Sequence, residues 1–246
     1  MAALERRLAD MQYPFGGAVG FYVDDAEDGT STRTAHEDMD LVRRTLVGLN
    51  GGGQGFLRLY RPRPTAAFSP RDTTLRHYGA AADAMTALGF EPVERRAGGQ
   101  LAVYDDQALV IDLVAPHDQP RVHVLERFRR FSGAIASALG SLGVDARVGA
   151  VEGEYCPGDY SVNGAGRMKL AGVAQRIGRG GYHMGAVVSI VHSTRVKAAV
   201  ARAYGTLGLP FEPATFGAVS DHVPDVDFKV VRSALRTSVS ACVRNH

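Results

Sequence analysis

The run Ala108-Leu-Val-Ile-Asp-Leu-Val114 contains a single polar residue. A strand of that composition has no face for water, so the fold must supply a layer on each side of it. The layers are present in the sequence as amphipathic helices. Met39, Val42, Leu46 and Leu49 fall at helical spacing, as do Leu75, Tyr78, Ala82, Met85 and Leu88. So do Leu125, Phe128, Phe131, Ile135 and Leu139, then Val196, Val200, Ala203, Tyr204 and Leu207, and finally Phe228, Val231, Leu235, Val239 and Cys242. Between them, Phe56–Tyr60, Thr65–Ser69, Arg147–Val151 and Tyr182–Val191 read as strands, the first two as a pair across a proline-rich turn. Short strands alternating with such helices predict an α+β fold.

Local signals set some boundaries. Thr34-Ala-His-Glu37 has the form of a capping box, so the first of these helices is expected from Ala35 to Val47, with Gly51-Gly-Gly ending it. Those glycines lack the lysine and hydroxyl of a phosphate-binding loop and read as a connector. Residues 1–34 form an expected N-terminal extension: a helix over Leu4–Met11, a turn at Pro14 and a mobile acidic loop from Asp24 to Thr34. Residues 35–246 are expected to form one domain, with no separate C-terminal accessory domain.

Composition excludes several function classes. A 45% apolar and 22% charged chain of 246 residues is globular, and a net charge of +2 does not argue for a nucleic-acid partner. Two cysteines make no disulfide framework, and no apolar run reaches the length of a membrane span, so a cytoplasmic location is expected. Cys242 belongs in a helix–helix seam. No histidine, cysteine or carboxylate group has metal-ligand spacing, so no metal is expected.

The chemistry concentrates in residues 154–176, which hold one of the two cysteines and one of only three lysines. Cys156-Pro-Gly reads as a turn, Asp159–Val162 as a short strand, Asn163-Gly164 as the hairpin turn and Met168–Ala174 as the return strand. That geometry would bring the Lys169 ammonium to the Cys156 thiol and favour the thiolate. An ordinary hairpin with a buried cysteine and a solvated lysine fits the same residues.

Lys169-Leu-Ala-Gly-Val-Ala-Gln-Arg176 resembles the Lys-x-x-Gly-x-Ala-Gln-Arg signature of the biotin/lipoate A/B protein ligase family. Tyr155-Cys-Pro-Gly-Asp-Tyr160 is similar to the branch of octanoyl and lipoyl transferases that carry the acyl group on a cysteine. Within it, the likeness is greatest to the amidotransferases that draw octanoate from the glycine-cleavage H protein. Arg95-Arg-Ala-Gly-Gly-Gln-Leu-Ala-Val-Tyr-Asp105 resembles the family's acyl-binding loop, with Gln100 and Tyr104 standing where ligases usually have a glycine and a histidine. Without two Cβ atoms, Gly98-Gly99 would let an acyl chain lie against backbone. His183-Met-Gly185 is similar to a His-x-Gly element of many relatives.

The resemblance implies a mixed, largely antiparallel sheet flanked by helices, as in class II synthetase-like catalytic domains. It implies Cys156 and Lys169 as catalytic residues and Arg96, Gly98, Gly99, Tyr104, Gly172, Gln175 and His183 as substrate-binding ones. The implied reaction moves an octanoyl or lipoyl group through a Cys156 thioester onto a lysine of a lipoyl-domain protein, without ATP. Implied partners are the glycine-cleavage H protein, 2-oxoacid dehydrogenase acyltransferase subunits or an acyl carrier protein. Two other readings stay open: a lipoate–protein ligase using ATP and Mg, and a non-catalytic acyl or carrier-protein binder.

Overall fold

The computed structural model describes residues 19–21 and 29–244. Its strands are β1 (Val19–Phe21), β2 (Gly55–Tyr60), β3 (Thr65–Phe68), β4 (Glu91–Glu94), β5 (Ala102–Tyr104), β6 (Ala108–Pro116), β7 (Ala146–Val148), β8 (Val162–Gly164), β9 (Met168–Ile177) and β10 (Gly181–Ser189). Its helices are α1 (Ala35–Gly48), α2 (Tyr78–Ala87), α3 (Val124–Gly140), α4 (Thr194–Leu207) and α5 (Phe228–Arg244).

The apolar run at 108–114 becomes β6, third in a seven-stranded sheet ordered β1-β2-β6-β10-β9-β8-β7. Every neighbouring pair in that sheet is antiparallel except β1 and β2. Alternation along β6 serves two cores. Leu109, Ile111 and Leu113 pack with Leu57 and Leu59 against α3 and α5, through side chains such as Ile135, Leu139 and Leu235. Each such aliphatic side chain stabilises by roughly 1.5–3 kcal/mol when fully buried. The even positions face α1 and a second sheet: Val110 packs with Tyr60, Ala35 and Tyr104, and Val114 with Phe56, Leu46 and Leu49.

That second sheet, β4-β3-β5, is covered on its far side by α2 and α4, through Phe68, Met85, Leu101, Val200 and Tyr204. The architecture is therefore the mixed, largely antiparallel α+β arrangement expected.

α1 starts where the capping box placed it. The Thr34 hydroxyl accepts from Glu37 N at 3.2 Å, and Glu37 Oε2 accepts from Thr34 N at 2.8 Å. Cys242 lies half-buried against the α3–α5 core, in the seam expected.

Four local expectations change. β2 and β3 are not a pair; they sit in different sheets, because β3 takes β4 and β5 as its partners. Leu75 precedes α2 rather than starting it. The hairpin turn is at Ala165-Gly166, with φ of 54° and 73°, not at Asn163-Gly164. Arg167 N donates to Gly164 O at 3.0 Å across it, and Asn163 supports it from the strand by accepting from Gly166 N through Oδ1 at 2.8 Å. Asp159–Val162 is not a strand; β8 begins only at Val162. Within the segment read as an extension, Val19–Phe21 pairs in parallel with β2 as an edge strand. The helix expected over Leu4–Met11, the turn at Pro14 and residues 24–28 of the expected mobile loop lie outside the described residues; the remainder of that loop is pinned instead, because Ser31 is buried and its N–H donates to Arg61 O at 2.8 Å.

Candidate active site

Cys156 lies in the connection from β7 to β8, with φ of +43°. A non-glycine residue in the left-handed region is uncommon, and one directly before a proline is further restricted. Such a conformation costs on the order of 1–3 kcal/mol and persists only where neighbours hold it. Here the backbone of Cys156 is held on both sides. Its N–H donates to Tyr204 Oη at 2.7 Å, and its carbonyl accepts from Lys169 Nζ at 2.7 Å.

Lys169 does not meet the thiol as the hairpin reading anticipated. Its ammonium donates to Cys156 O, to Tyr155 O at 2.9 Å and to Glu154 Oε1 at 3.2 Å, and it lies 4.9 Å from the Tyr155 ring centre. It is not solvated either: Lys169 is 1% exposed and Glu154 2%. A buried ion pair survives when its remaining hydrogen-bonding capacity is filled. Glu154 meets that condition, accepting also from Ser161 Oγ at 2.6 Å, Gly158 N at 3.1 Å and Val151 N at 3.1 Å.

A β-bulge puts Lys169 there. Val162 pairs with Ala171 while Asn163 pairs with Lys169, so Leu170 is the extra residue on β9. The bulge inverts the alternation. Leu170 joins Ala171 in the core against α3 and α5, and Lys169 turns to the face shared by Gly172 and Ala174. A Cβ at Gly172 would stand 3.3 Å from Lys169 Cε, so glycine gives the lysine side chain its path.

The sulfur is surrounded by the loop from β4 to β5. Gln100 N–H donates to Sγ at 3.2 Å, and the Arg95 guanidinium reaches it at 3.6 Å while donating to Gln100 O at 2.6 Å. Gly99 has φ of +100°, and a Cβ there would lie 2.9 Å from Sγ and 2.7 Å from Arg95 Nη2. Gly98 is exposed with nothing within 4 Å of its Cβ position, so only one of the two glycines is needed for room at the sulfur. Arg96 is exposed, and its carbonyl accepts from Arg176 at 2.8 Å, tying the loop to β9.

Cys156 and Lys169 border a cavity of about 1060 Å³ between the main sheet, α1 and this loop. Strand register lays two rows across its floor. Gly172, Val187, Val110 and Tyr60 make an apolar row. Ala174, Gly185 and Asp112 make the next, which is charged and whose register continues to the buried Arg58. His183 lies over Gly185 and bonds Asp112 Oδ1 through Nε2 at 2.7 Å; a Cβ on Gly185 would be 2.9 Å from the imidazole.

Arg58 is paired with Asp38 at 2.6 Å and donates to Ser31 at 3.0 Å. Burial pushes the Asp38 carboxyl up, against the pull of Arg58. Burial and the Asp112 charge hold the Tyr104 phenol well above its ordinary range, so this cavity residue stays neutral. Gln175 also lines the cavity, with Nε2 2.7 Å from Met184 Sδ and a buried Oε1 that has no partner.

The structure thus brings Cys156, Lys169, Gly99 and Gly172 together, sets Arg96, Tyr104, Gln175 and His183 along the same cavity, and leaves Gly98 on its rim. Sequence reasoning missed Arg95, the Gln100 N–H, Asp112, Glu154 and Tyr204. Glu154 had a signal, as the carboxylate that opens the Tyr-Cys-Pro-Gly stretch. Tyr204 had none, because helical spacing marks it only as core. Among the described residues, no cluster of three or more His, Cys, Asp and Glu side chains is placed to hold a metal, and no helix is long and apolar enough to cross a membrane.

The chain is similar to the octanoyl-[GcvH]:protein N-octanoyltransferase of Geobacillus kaustophilus, with 29% identity over 182 residues, 74% of this chain and 63% of the relative. It is 30% identical over 166 residues to the protein of the same name from Exiguobacterium sibiricum, covering 65% of this chain and 58% of that one. It therefore spans less than two thirds of the length of these relatives. Among solved structures, a lipoate-protein ligase A bound with ATP superposes with a TM-score of 0.65 at 21% identity, covering 86% of this chain and 82% of the other. The bipartite lipoate protein ligase of Thermoplasma acidophilum, described with its E2 lipoyl domain, gives 0.63 at 21% identity, with coverages of 86% and 80%. At these identities the likeness concerns the fold. The model of the lipoyl protein ligase A/B catalytic domain matches residues 35–237, and the chain belongs to that family.

Proposed function

We propose that this chain moves an octanoyl or lipoyl group onto the target lysine of a lipoyl-domain protein through a thioester on Cys156. The observation that carries the reading is the placement of Cys156: strained, clamped through its backbone, and with its sulfur at the wall of the cavity facing the Gln100 N–H. The names of the curated relatives support octanoyl transfer from an H-type carrier, and the Thermoplasma ligase described with its E2 lipoyl domain supports a lipoyl-domain partner.

In the first step the Cys156 sulfur attacks the carbonyl of the acylated donor lysine. A C–S bond forms, the C–N bond breaks, and the thiol proton leaves with the amine. In the second, the amine of the acceptor lysine attacks the thioester, returning the thiol. The bond broken in the donor and the bond made on the acceptor are both lysine amides, so the exchange is close to isoenergetic and consumes no ATP. The three donor protons of Lys169 are spent on Glu154 and two carbonyls, and its part in this reading is to support the Cys156 loop. Gln100 N–H and Arg95 are the donors against the sulfur, and in this reading they stand beside the carbonyl oxygen on which charge develops. The apolar row at Val110 and Val187 suits the acyl chain.

The test is intact-protein mass spectrometry after mixing with octanoyl- or lipoyl-loaded carriers without ATP. A hydroxylamine-labile acyl adduct that is absent in Cys156→Ser is the expected result. Turnover that needs free lipoate and ATP and survives Cys156→Ser would instead make the chain a ligase, and binding without turnover would make it a carrier-protein binder.

A further inference from the structure

Tyr204, on α4, is 1% exposed and lies far from Cys156 in sequence, yet its hydroxyl joins the two loops that make the nucleophile's surroundings. It accepts from Cys156 N at 2.7 Å and donates to Leu101 O at 2.9 Å. Leu101 directly follows Gln100, whose N–H reaches the sulfur at 3.2 Å. One oxygen therefore sets the spacing between the sulfur and its backbone donor. No other acceptor serves the Cys156 N–H among the described residues. Burial keeps the phenol protonated, so it is donor and acceptor at once.

We infer that Tyr204 is a positioning residue for Cys156: its hydroxyl holds the cysteine in its left-handed conformation and keeps the Gln100 N–H aimed at the sulfur. Together with Lys169 on the carbonyl, it clamps both peptide groups of a residue that would otherwise relax to the extended backbone that proline favours on its N-terminal side. The inference rests on Cys156 as the nucleophile. It adds that the geometry is imposed from α4, across the small sheet.

The variant is Tyr204→Phe, which keeps the ring and removes the oxygen. Two readouts are compared with wild type: the single-turnover rate of Cys156 acylation by an octanoylated H-type carrier, and the pH profile of Cys156 alkylation by iodoacetamide in Cys242→Ser background. The expected result is a roughly ten- to hundredfold slower acylation with the donor concentration at half-saturation little changed, as displacements of about an ångström at a reacting atom produce. The alkylation profile should also move from that of wild type. A purely structural role would lower the melting temperature and leave both readouts alone, and that outcome overturns the inference. If wild type forms no thioester, the acyl-transfer reading falls, while alkylation still decides the role of Tyr204. If Tyr204→Phe does not fold, hydrogen exchange on the wild-type chain decides: a protected Cys156 amide supports the bond, and one exchanging like an open loop refutes it.

Discussion

Lys169 meets Cys156 at its carbonyl oxygen, 2.7 Å from Nζ, while the sulfur of the same cysteine is contacted by Gln100 N–H at 3.2 Å. The lysine of the family signature therefore acts on this cysteine through the main chain. Its charge is matched by Glu154 in a site that excludes water.

Lys169→Met should accordingly be a stability variant as well as an inactive one. It strands the Glu154 carboxylate, and breaking a buried pair in this way costs about 3–5 kcal/mol. Urea unfolding should show that loss, and the double variant Lys169→Met/Glu154→Gln should lose clearly less than the two single losses added together.

The two loop glycines should separate. Gly99→Ala places a methyl 2.9 Å from Sγ in a backbone conformation with φ of +100°, whereas Gly98→Ala meets nothing within 4 Å. Acyl-adduct formation should fall by about 100-fold or more in the first. Gly98→Ala should stay within a factor of about two of wild type, since an unhindered surface change is nearly neutral.

The hairpin offers a stabilising change. Ala165 and Gly166 both have positive φ, as a type I′ turn requires, and alanine is poorly suited to the first of these places. Ala165→Asn should raise stability by up to about 1 kcal/mol, read as a higher urea midpoint at unchanged slope.

Cys242 should be the slow thiol. Burial pushes its pKa up, so at neutral pH little thiolate forms and iodoacetamide should mark Cys156 well before Cys242. The sign for stability follows. Above about pH 8.5 the unfolded chain ionises this thiol first, so its contribution is intact below that pH and is lost as pH rises through the folded value. A Cys242→Ser protein should show a smaller decline in melting temperature between pH 8 and 10.

Much of the fold was legible because the signals are local. The capping box at Thr34 and Glu37 lies within four consecutive residues, and the apolar run at 108–114 names its own environment by having no polar face. The hairpin was legible in existence and wrong in register. Asn163-Gly164 is a strong turn pair, yet Asn163 performs its part from inside β8, by a side-chain bond to the N–H of Gly166 three residues on. β2 and β3 read as a pair because they are adjacent in sequence, but partner choice depends on β4 and β5, which come later.

The sequence by itself determined which residue types were available: an alternating set of strands and amphipathic helices, a Lys-x-x-Gly-x-Ala-Gln-Arg run, a Cys-Pro-Gly turn and a Gly-Gly loop. Tertiary structure decided what those residues touch. The bulge at Leu170 turned Lys169 from the core face to the cavity face, and α4 carried Tyr204 to the Cys156 N–H across roughly fifty residues of chain. Side-chain period along a strand is a local property, but a one-residue slip in pairing reverses it, and the slip is set by the partner strand. Contacts between distant segments depend on how whole layers pack, so no window of sequence contains them.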